Sequence, residues 1–566
     1  MVRISRLIIV PLLFLCYPFT TFSQKNINYD PWDWITYRNS SYITSISEGN
    51  EFIYFGSNGG ILRYHLFGRF WADPITSSQG LASENITAVY YDFTTNLLWG
   101  ASQKKGLNYS IDGGRSWELV NREILGLRPG EKIVGIGSSP NYLWLLTTSQ
   151  IMKVDHLSGY LIEPYSNIEG YEVNWGSFLL NDLSILPSYL NDFTATGGWI
   201  NALGVLHGPH FEEAIISTLY ADRFGDIWLG CWGGPAFYGD TNMKQLTPIP
   251  AGLAQTSVQM IVKQNNGFWI GGITDNPQTT GITYLELDRG IWEKYRWGIE
   301  FHQGSDQILC GVSVGEEIWF GLTDGILIYD ESEKDWFHLS ELKGLPDEHI
   351  SCIDYDGDYV YVGTPKGIVK FYPKTRMKKQ WILENILRHI NIYDIHWDRI
   401  NLWISAETGL IRWLPDEEEI KVYGISGEDI LPVDPFTGKK PIGMISPITA
   451  IVSFDSVVYF GDENGILAFD NNREYWSRYT GKSQLIDQYF NDITVLENPD
   501  KIGKMIWLGT NNGTILFDVE SDRIHQFRKN DGLPSNVVTS IIIDGDLAWL
   551  GTPNGLVKFK WTKYVK

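Results

Sequence analysis

Short runs of alternating apolar and polar residues, separated by turn residues, fill most of this chain. Residues 531–559 show the unit clearly: a Gly-Leu-Pro start, an apolar strand, an Asp-Gly-Asp turn, a second strand, and a turn at Asn554-Gly555 before a third strand. Asp-Gly and Asn-Gly favour tight hairpins because they adopt positive φ values. Many units continue into a fourth strand marked by an aromatic residue, such as Trp71, Trp117, Trp292, Trp336 or Trp476. The pattern predicts an all-β protein of antiparallel hairpins.

One phrase recurs twelve times on these strands: an aromatic anchor, an apolar residue, usually Gly, and another Gly a few positions later. The clearest copies start at Tyr361 and Trp549. The other copies start at Tyr54, Trp228, Trp269, Trp319, Trp403, Tyr459 and Trp507, with irregular ones at Trp99, Trp144 and Trp199. Most neighbouring copies lie roughly 41 to 56 residues apart, the period of four-stranded propeller blades. We predict a β-propeller protein of about twelve blades, divided into two propellers of six or seven.

The predicted domains follow from this count. Residues 24–290 would form the first propeller and residues 291–566 the second. The last unit ends after its third strand, whereas residues 33–37 resemble an isolated fourth strand. We expect this N-terminal strand to complete the last blade, because that pairing removes an exposed sheet edge. The count is least regular between residues 150 and 215, where one blade could be miscounted.

Residues 1–23 have the features of a secretory signal peptide: Arg3 and Arg6, then an apolar stretch, then small residues. Cys16 follows Leu13-Phe14-Leu15, which lack the small residues that precede a lipoprotein cysteine, so lipid anchoring there is the disfavoured alternative. No later stretch reaches the ~18 uninterrupted apolar residues of a membrane span. We therefore expect an exported chain.

The net charge limits the classes of partner, and the cysteine count argues against a disulfide framework. The formal net charge of −22 repels nucleic acid and anionic membranes, so we expect neither as a partner. Three cysteines follow the predicted signal, an odd number that does not suit a disulfide framework. Cys310 and Cys352 each lie nine residues before an anchor, where Ser45, Ala450 and Ser540 stand in other units. We interpret this as a position for a small buried side chain.

Two stretches carry a family resemblance. Residues 532–537 (GLPSNV) and 344–350 (GLPDEHI), each followed by the Trp/Tyr-Leu/Val-Gly-Thr-x-x-Gly phrase, resemble the two-component regulator propeller repeat. The resemblance covers most of the chain and implies a double propeller like the oligosaccharide-responsive sensor part of hybrid histidine kinases, or like secreted, surface-associated bacterial proteins. After the last blade we find no membrane helix, kinase or DNA-binding region, so we carry over ligand binding alone. The expected location is periplasmic, cell-surface or secreted in a bacterium.

A second resemblance is local. Residues 110–117 (SIDGGRSW) resemble the Asp-box of sialidase-type propellers. In that family the box is a structural hairpin away from the active site, so we interpret Ser110, Asp112, Gly114 and Trp117 as structural. The carboxylate can accept hydrogen bonds from turn amides while the tryptophan packs between strands.

The sequence lacks recognisable catalytic and metal-binding patterns. We find no P-loop, HExxH, GxSxG or paired CxxC, and the arginines lack the spacing of a sialidase cluster. Paired carboxylates such as Asp544 and Asp546 fall in hairpin turns. We expect no catalytic residue, cofactor or metal, and a polysaccharide-active enzyme is the less favoured alternative.

The repeat breaks its own pattern in one region, which is where functional residues tend to lie. Residues 230–235 read GCWGGP in place of the usual phrase, and residues 199–211 carry two histidines beside glycines. We predict ligand binding by Trp199, His207, His210 and Trp232. An exposed Trp232 can stack on a sugar face, and His207 or His210 can supply polar contacts. A decayed blade with satisfied histidines explains the same residues without function. The ligand is a glycan or small molecule, and the alternative is an envelope protein bound by a scaffold.

Overall fold

The fold is described from a computed structural model. It describes residues 29–164, 166–178, 180, 188–202, 204–209, 212–274, 280–296, 307–340, 344–415, 417–426, 429–433, 447–479, 484–485, 488–497 and 503–565. The predicted signal peptide, with Cys16, lies outside these residues.

Eleven sheets, numbered 1 to 11 in chain order, account for the strands within the described residues, and the predicted all-β propeller class is confirmed. Sheets 1 to 4, in hydrogen-bonded order, comprise Ile43–Glu48, Phe52–Ser57, Gly60–His65 and Trp71–Ile75; Ile86–Asp92, Leu97–Ser102, Gly106–Ser110 and Glu118–Asn121; Asn174–Trp175, Ile133–Ser139, Tyr142–Thr147, Ile151–Asp155 and Leu161–Glu163; and Ile200–Ala202, Val205–His207, Glu213–Ala221, Ile227–Trp232, Ala236–Asp240, Gln245–Ile249 and Thr194–Ala195. Among the strand pairings within the described residues, Thr194–Ala195 alone pairs in parallel, and an isolated bridge between Asn39 and Leu253 is parallel as well.

Sheets 5 to 11 have the same antiparallel order. They comprise Met260–Gln264, Gly267–Gly271, Ile282–Glu286 and Ile291–Tyr295; Ile308–Val314, Glu317–Leu322, Gly325–Asp330 and Asp335–Leu339; Cys352–Tyr355, Val360–Thr364, Gly367–Tyr372 and Met377–Ile382; Ile392–Trp397, Leu402–Ala406, Gly409–Leu414, Glu419–Ser426 and Asp429–Val433; Ala450–Phe454, Val457–Asp462, Gly465–Asp470 and Tyr475–Tyr479; Phe490–Glu497, Lys504–Thr510, Gly513–Asp518 and Arg523–Phe527; and Ser540–Asp544, Leu547–Thr552, Gly555–Lys560 and Trp34–Tyr37. Short helices cover Ser77–Gln79, Ser188–Asp192, Pro373–Thr375, Glu384–Leu387, Lys529–Asp531 and Trp561–Lys563.

The repeated phrase builds the core between sheets. Eleven of its twelve aromatic anchors are buried, one in each sheet, on the strand that follows the strand of the small-residue position. Trp403 of sheet 8, for example, packs edge-on against Phe460 and Trp476 of sheet 9, with ring centroids 5.0 and 6.0 Å apart. Large aromatic rings bury ~150–250 Å² each, so these anchors dominate the packing between sheets.

The predicted position for small side chains is buried in Ser45, Cys352, Ala450 and Ser540 and partly buried in Cys310. Cys310 pairs with Gly321 and Cys352 with Gly363, and a Cβ on either glycine would lie 2.5 Å from the facing sulfur. The glycine of the repeated phrase therefore makes room for the neighbouring strand. Burial raises the pKa of the Cys310 thiol to about 12.

Sheets 5 to 11 close into a seven-sheet ring. The first strand of each contacts the first strand of the next, and Met260–Gln264 of sheet 5 contacts Ser540–Asp544 of sheet 11. Across that junction the Ile261 amide donates to Ser540 Oγ at 3.3 Å, and Thr539 Oγ1 donates to the Val258 carbonyl at 2.6 Å. Because sheet 5 belongs to this ring, we infer a boundary within residues 250–259, earlier than the one expected at residue 290.

Sheets 1 to 4 form the second group. Ile43–Glu48 of sheet 1 contacts Ile86–Asp92 of sheet 2 and Glu213–Ala221 of sheet 4. Ile86–Asp92 in turn contacts Ile133–Ser139 of sheet 3. We call these strands, and the first strands of sheets 5 to 11, the inner strands. Gly176 donates its amide to the Ile136 carbonyl of sheet 3. Next to it, Ser177 Oγ accepts the Ile46 amide of sheet 1 at 2.5 Å and lies 2.7 Å from Thr218 Oγ1 of sheet 4. Within the described residues the groups thus contain four and seven sheets, where six or seven each were expected.

The twelfth anchor explains the difference between eleven sheets and the twelve predicted blades. Trp199 precedes Ile200–Ala202, which extends sheet 4 on the inner side instead of starting a sheet of its own. The irregular count between residues 150 and 215 has its origin here.

The predicted closure by the N-terminal strand is confirmed. Trp34–Tyr37 pairs antiparallel with Gly555–Lys560, with Trp34 opposite Phe559 and their rings stacked 3.7 Å apart. Gly555 has φ 137°, and a Cβ there would lie 2.6 Å from the Tyr37 carbonyl oxygen. The turn glycine therefore permits the close approach of the closing strand.

Candidate functional site

A cleft of about 270 Å³ lies where sheet 4 faces sheet 5, at the contact between the two groups. Its lining residues are Ser41, Trp199, Pro209, Glu212, Gly233, Gly234, Pro235, Pro248, Pro250, Ala254 and residues 292–296. The volume is close to the lower end of the range for small-ligand pockets, ~300 Å³. The wall combines an indole, several prolines and charged side chains, which suits a ligand with both apolar and polar faces.

Trp199 forms the aromatic part of this wall. Its ring packs edge-on against the buried Phe237, with centroids 5.3 Å apart. A Cβ on Gly208 would lie 3.0 Å from its Cη2 atom, and one on Gly234 would lie 3.5 Å away. Because both positions are glycine, the indole can lie against the backbone with the rest of its partly buried surface toward the cleft. The departure of residues 230–235 from the repeat thus has a packing reason.

The facing wall is the last strand of sheet 5, which ends in charged residues. Tyr295 donates its hydroxyl to Glu293 Oε2 at 2.6 Å, so this carboxylate already has a partner. Arg296 Nε donates to the Thr280 carbonyl at 3.3 Å. Lys294 has no hydrogen bond or ion pair with any residue that the structure describes. Burial, with a smaller effect from the Arg296 charge, lowers the pKa of the Lys294 amine to about 7.

Strand register explains why a lysine is buried here. Lys294 pairs with Thr283, whose side chain is buried, and lies two positions after the buried Trp292. Alternate residues of a strand share a face, so Lys294 lies on the face of Trp292 rather than on the face of Tyr295. An ionisable side chain on an apolar face loses hydration, which is the source of its lowered pKa.

The other residues of the predicted ligand site lie elsewhere. Trp232 and His207 do not line the cleft. Trp232 pairs with Ile215, and Ile215 with Val205, so these three side chains share one face of sheet 4, which continues to His207. The opposite face is the buried one, where Trp199 packs on the cluster of Leu206, Ala214, Cys231 and Phe237. His210 lies outside the described residues.

Trp232 and His207 each contact a neighbouring group of the protein. The Trp232 indole donates to the Ile43 carbonyl at 3.0 Å, and His207 Nδ1 lies 3.7 Å from Glu213 Oε1. These contacts fit the alternative of satisfied side chains, while ligand contact by Trp232 and His207 stays a prediction.

Sequence reasoning missed Lys294 and Arg296. Both follow a regular anchor in a regular unit, and their proximity to Trp199 depends on how two groups of sheets meet. The only sequence signal is a lysine two residues after a tryptophan in a strand, a charge on a face that alternation assigns to the core.

A second cavity of about 500 Å³ lies at the centre of the seven-sheet ring and is lined by three partly buried carboxylates. Each accepts the amide of the next inner strand: Asp354 from Trp397 (2.6 Å), Asp394 from Ile451 (2.8 Å) and Asp492 from Ile541 (2.6 Å). Burial raises the pKa of all three, that of Asp492 to about 6. Since their oxygens join neighbouring sheets, we assign them a structural role. Among the described residues no group of three or more His, Cys, Asp or Glu side chains has the geometry to hold a metal ion.

The Asp-box-like hairpin is closed by its own side chains. Asp112 Oδ1 accepts the amides of Arg115 and Ser116 at 3.0 and 2.9 Å, and Ser110 Oγ accepts the Gly114 amide at 2.7 Å. Burial acts to raise the pKa of Asp112, but hydrogen bonds led by those from Ser116 outweigh it and lower the pKa. All these groups are used within the turn.

Comparison with known proteins gives no assignment. No family model and no curated protein matches the chain. Among solved structures, the extracellular domain of BT4673 from B. thetaiotaomicron, described as a one component system, is 13% identical with a TM-score of 0.42, covering 91% of this chain and 70% of that one. The extracellular domain of BT3049, described as a hybrid two component system of the same organism, is 16% identical with a TM-score of 0.32, covering 92% and 82%.

PorZ, a surface component of the type-IX secretion system of Porphyromonas gingivalis, is 13% identical with a TM-score of 0.34, covering 93% of this chain and 87% of that one. With TM-scores below 0.5, none of the three similarities carries an inference about function. In the described part of the chain, no helix has the length and hydropathy of a membrane span.

Proposed function

We propose that this chain is an exported, non-catalytic propeller protein that binds an oligosaccharide in the cleft between sheets 4 and 5. The observation that carries the proposal is the cleft itself, about 270 Å³ with Trp199 on one wall and charged side chains on the other. Export is supported by the signal-like residues 1–23.

The chemistry of the wall favours a sugar over a purely apolar ligand. Pyranose rings have an apolar face that packs on an aromatic ring and an edge of hydroxyl groups that needs polar partners. Trp199 supplies the first, while Glu212 and residues 293–296 supply the second. The position between two groups of sheets is one that ligand sites prefer.

The experiment compares Trp199, which packs on the buried face of sheet 4, with Trp232, which lies on the exposed face. Purified mature chain is applied to an array of neutral and acidic glycans, and hits are measured by calorimetry. Trp199→Leu is expected to lower the affinity at least tenfold. Trp232→Leu is expected to leave it unchanged, because Trp232 does not line the cleft, and that result would decide against the ligand contact predicted for Trp232 from the sequence. Thermal unfolding of both variants reports whether the fold is intact. Absence of binding to any glycan refutes the proposal.

A second candidate, a scaffold that binds an envelope protein, is supported by the exposed face of sheet 4. Ile200, Ile215 and Trp232 are 66, 40 and 37% exposed there, beside His207. Such an apolar patch is typical of protein contact sites. Loss of a protein partner in Trp232→Leu but not in Trp199→Leu would support this function.

A further inference from the structure

Lys294 lacks the partners that other partly buried cations have in the described part of the chain. Lys370 and Lys378, which form no ion pair there, lie over the rings of Tyr359 and Trp381 at 4.5 and 4.7 Å. Lys558 lies 2.7 Å from Asp73, and Arg376 lies 2.7 Å from Asp330. Arg478 makes a two-pronged contact with Asp462, with both distances 2.8 Å. Lys294, in contrast, has no acidic partner among the described residues although its wall is part of a cleft. Proteins pair or hydrogen-bond buried charges because desolvation otherwise costs free energy.

The two carboxylates of the cleft do not supply that partner. Glu293 follows the opposite face of the strand and accepts the Tyr295 hydroxyl. Glu212 lines the cleft but lies beyond 4.0 Å from the Lys294 amine, since no ion pair joins them. Arg296, on the same wall, adds a second positive charge next to the first. The wall opposite Trp199 therefore carries two cations, and one of them, Lys294, has no anionic partner among the described residues.

We propose that the ligand of this cleft is an acidic oligosaccharide, whose carboxylate or sulfate group binds Lys294 and Arg296 while a sugar ring packs on Trp199. The inference rests on the proposed function and names the ligand class. An incoming anion gives Lys294 the partner that the chain does not provide. Hydrogen bonds between charged groups are stronger than neutral ones, which favours acidic over neutral sugars.

The two sources of negative charge have different geometries. A planar carboxylate matches the guanidinium fork of Arg296, and a sulfate offers three oxygens to both cations. The proposal therefore fixes the charge of the ligand and leaves the distinction between uronate and sulfate to the experiment.

The experiment uses the mature full-length chain and probes in matched pairs. Oligogalacturonides, oligoalginates and chondroitin fragments are each tested beside the carboxyl-reduced form, and chondroitin also with and without sulfate. Neutral hexasaccharides of cellulose and xylan complete the panel. We expect an acidic member to bind at least tenfold more tightly than its neutral counterpart, with affinity falling as salt concentration rises.

Variants identify the cations that act. Lys294→Met is expected to lower the affinity for the acidic probe ten- to hundredfold, so that the protein no longer prefers this probe to its neutral form. Lys294→Arg is expected to restore part of the lost affinity. Lys263→Met is the control, because Lys263 belongs to the same sheet and pairs with Asp544 on the surface. Thermal unfolding checks that each variant is folded.

The outcomes separate the two proposals. Equal binding of acidic and neutral forms, or unchanged affinity in Lys294→Met, overturns the acidic ligand while the sugar-binding function stands. Absence of binding by every probe overturns both. If carboxyl reduction abolishes binding, the anion is a carboxylate. If removal of sulfate abolishes binding, the anion is a sulfate.

Discussion

Replacing Lys294 by methionine should stabilise the protein, although it removes the residue that we assign to ligand binding. Methionine has a similar length and no charge, so it keeps the packing on the Trp292 face while the desolvation of an amine disappears. The pKa of Lys294 is about 7 in the folded chain against an ordinary 10.5. At ~1.4 kcal/mol per unit, this difference corresponds to at most ~5 kcal/mol. Because the side chain is only partly buried, we expect a gain of ~1–3 kcal/mol.

The gain should depend on pH with a definite sign. A base whose pKa is lower in the folded state binds its proton more tightly when unfolded, so folding is penalised below pH 7. The penalty diminishes as pH rises from 7 to 10.5 and is absent above. The advantage of Lys294→Met over the parent should therefore be full at pH 6 and small near pH 10.

The assay is thermal or denaturant unfolding of parent and variant at pH 6, 8 and 9.5, followed by tryptophan fluorescence. Lys263→Met, at a paired surface lysine of the same sheet, is expected to change stability by less than ~0.5 kcal/mol at every pH. A Lys294→Met variant that is less stable than the parent, or an advantage that does not change with pH, would refute the reasoning about the buried amine.

Four further predictions concern other sites. Binding of an acidic oligosaccharide should weaken from pH 6 to pH 8.5 as Lys294, which shares the cleft with Arg296, Glu293 and Glu212, loses its proton; calorimetry at both values checks this, and constant affinity contradicts it. Asp492→Ser should raise stability by ~1–2 kcal/mol at pH 8 and by about a third of that at pH 4.5. Ser540 shows that serine serves as an acceptor at the equivalent position, while ionisation of the partly buried Asp492 carboxyl, with its pKa of about 6, is costly; unfolding curves at the two pH values decide. Trp34→Ala should lower the unfolding free energy by ~3–5 kcal/mol by removing the stacking on Phe559, and a loss below 1 kcal/mol would show that closure matters little. Asp112→Ala should cost ~0.5–1.5 kcal/mol through the loss of its hydrogen bonds to two exposed turn amides without changing glycan affinity, as unfolding and calorimetry on one preparation would show.

Local features of the fold were predictable because each is encoded within one unit. The aromatic anchors, the glycine opposite Cys310 and Cys352, and the turn at Gly555 all follow from periodicity and turn chemistry. Trp199 has the same residue type as an anchor, and only its lack of room for a full unit distinguishes it. The division into four and seven sheets depends on contacts between inner strands, such as Ile261 with Ser540, which no pattern within a unit specifies.

One wall of the candidate site could be predicted from the sequence and the other could not, because the sequence pattern shows what lies within a unit and not how distant units meet. Trp199 was found because residues 199–235 break the repeat. Lys294 was missed because its unit is regular, and its position opposite Trp199 arises from the meeting of two groups far apart in the chain. Trp232 and His207 were placed with Trp199 by sequence proximity, whereas strand alternation puts them on the other face.

The pairing of Trp34–Tyr37 with Gly555–Lys560 also dictates an order of events during folding. Asp33 and Lys563 form an ion pair across this sheet although they are 530 positions apart. Trp34–Tyr37 precedes sheets 1 to 10 in the chain and Gly555–Lys560 follows them, so these sheets can form before the ring is sealed. Contacts of such long sequence separation form slowly because the intervening chain must be ordered first. We expect sealing to be the final step, seen in pulsed hydrogen exchange as late protection of the amides of residues 556–559.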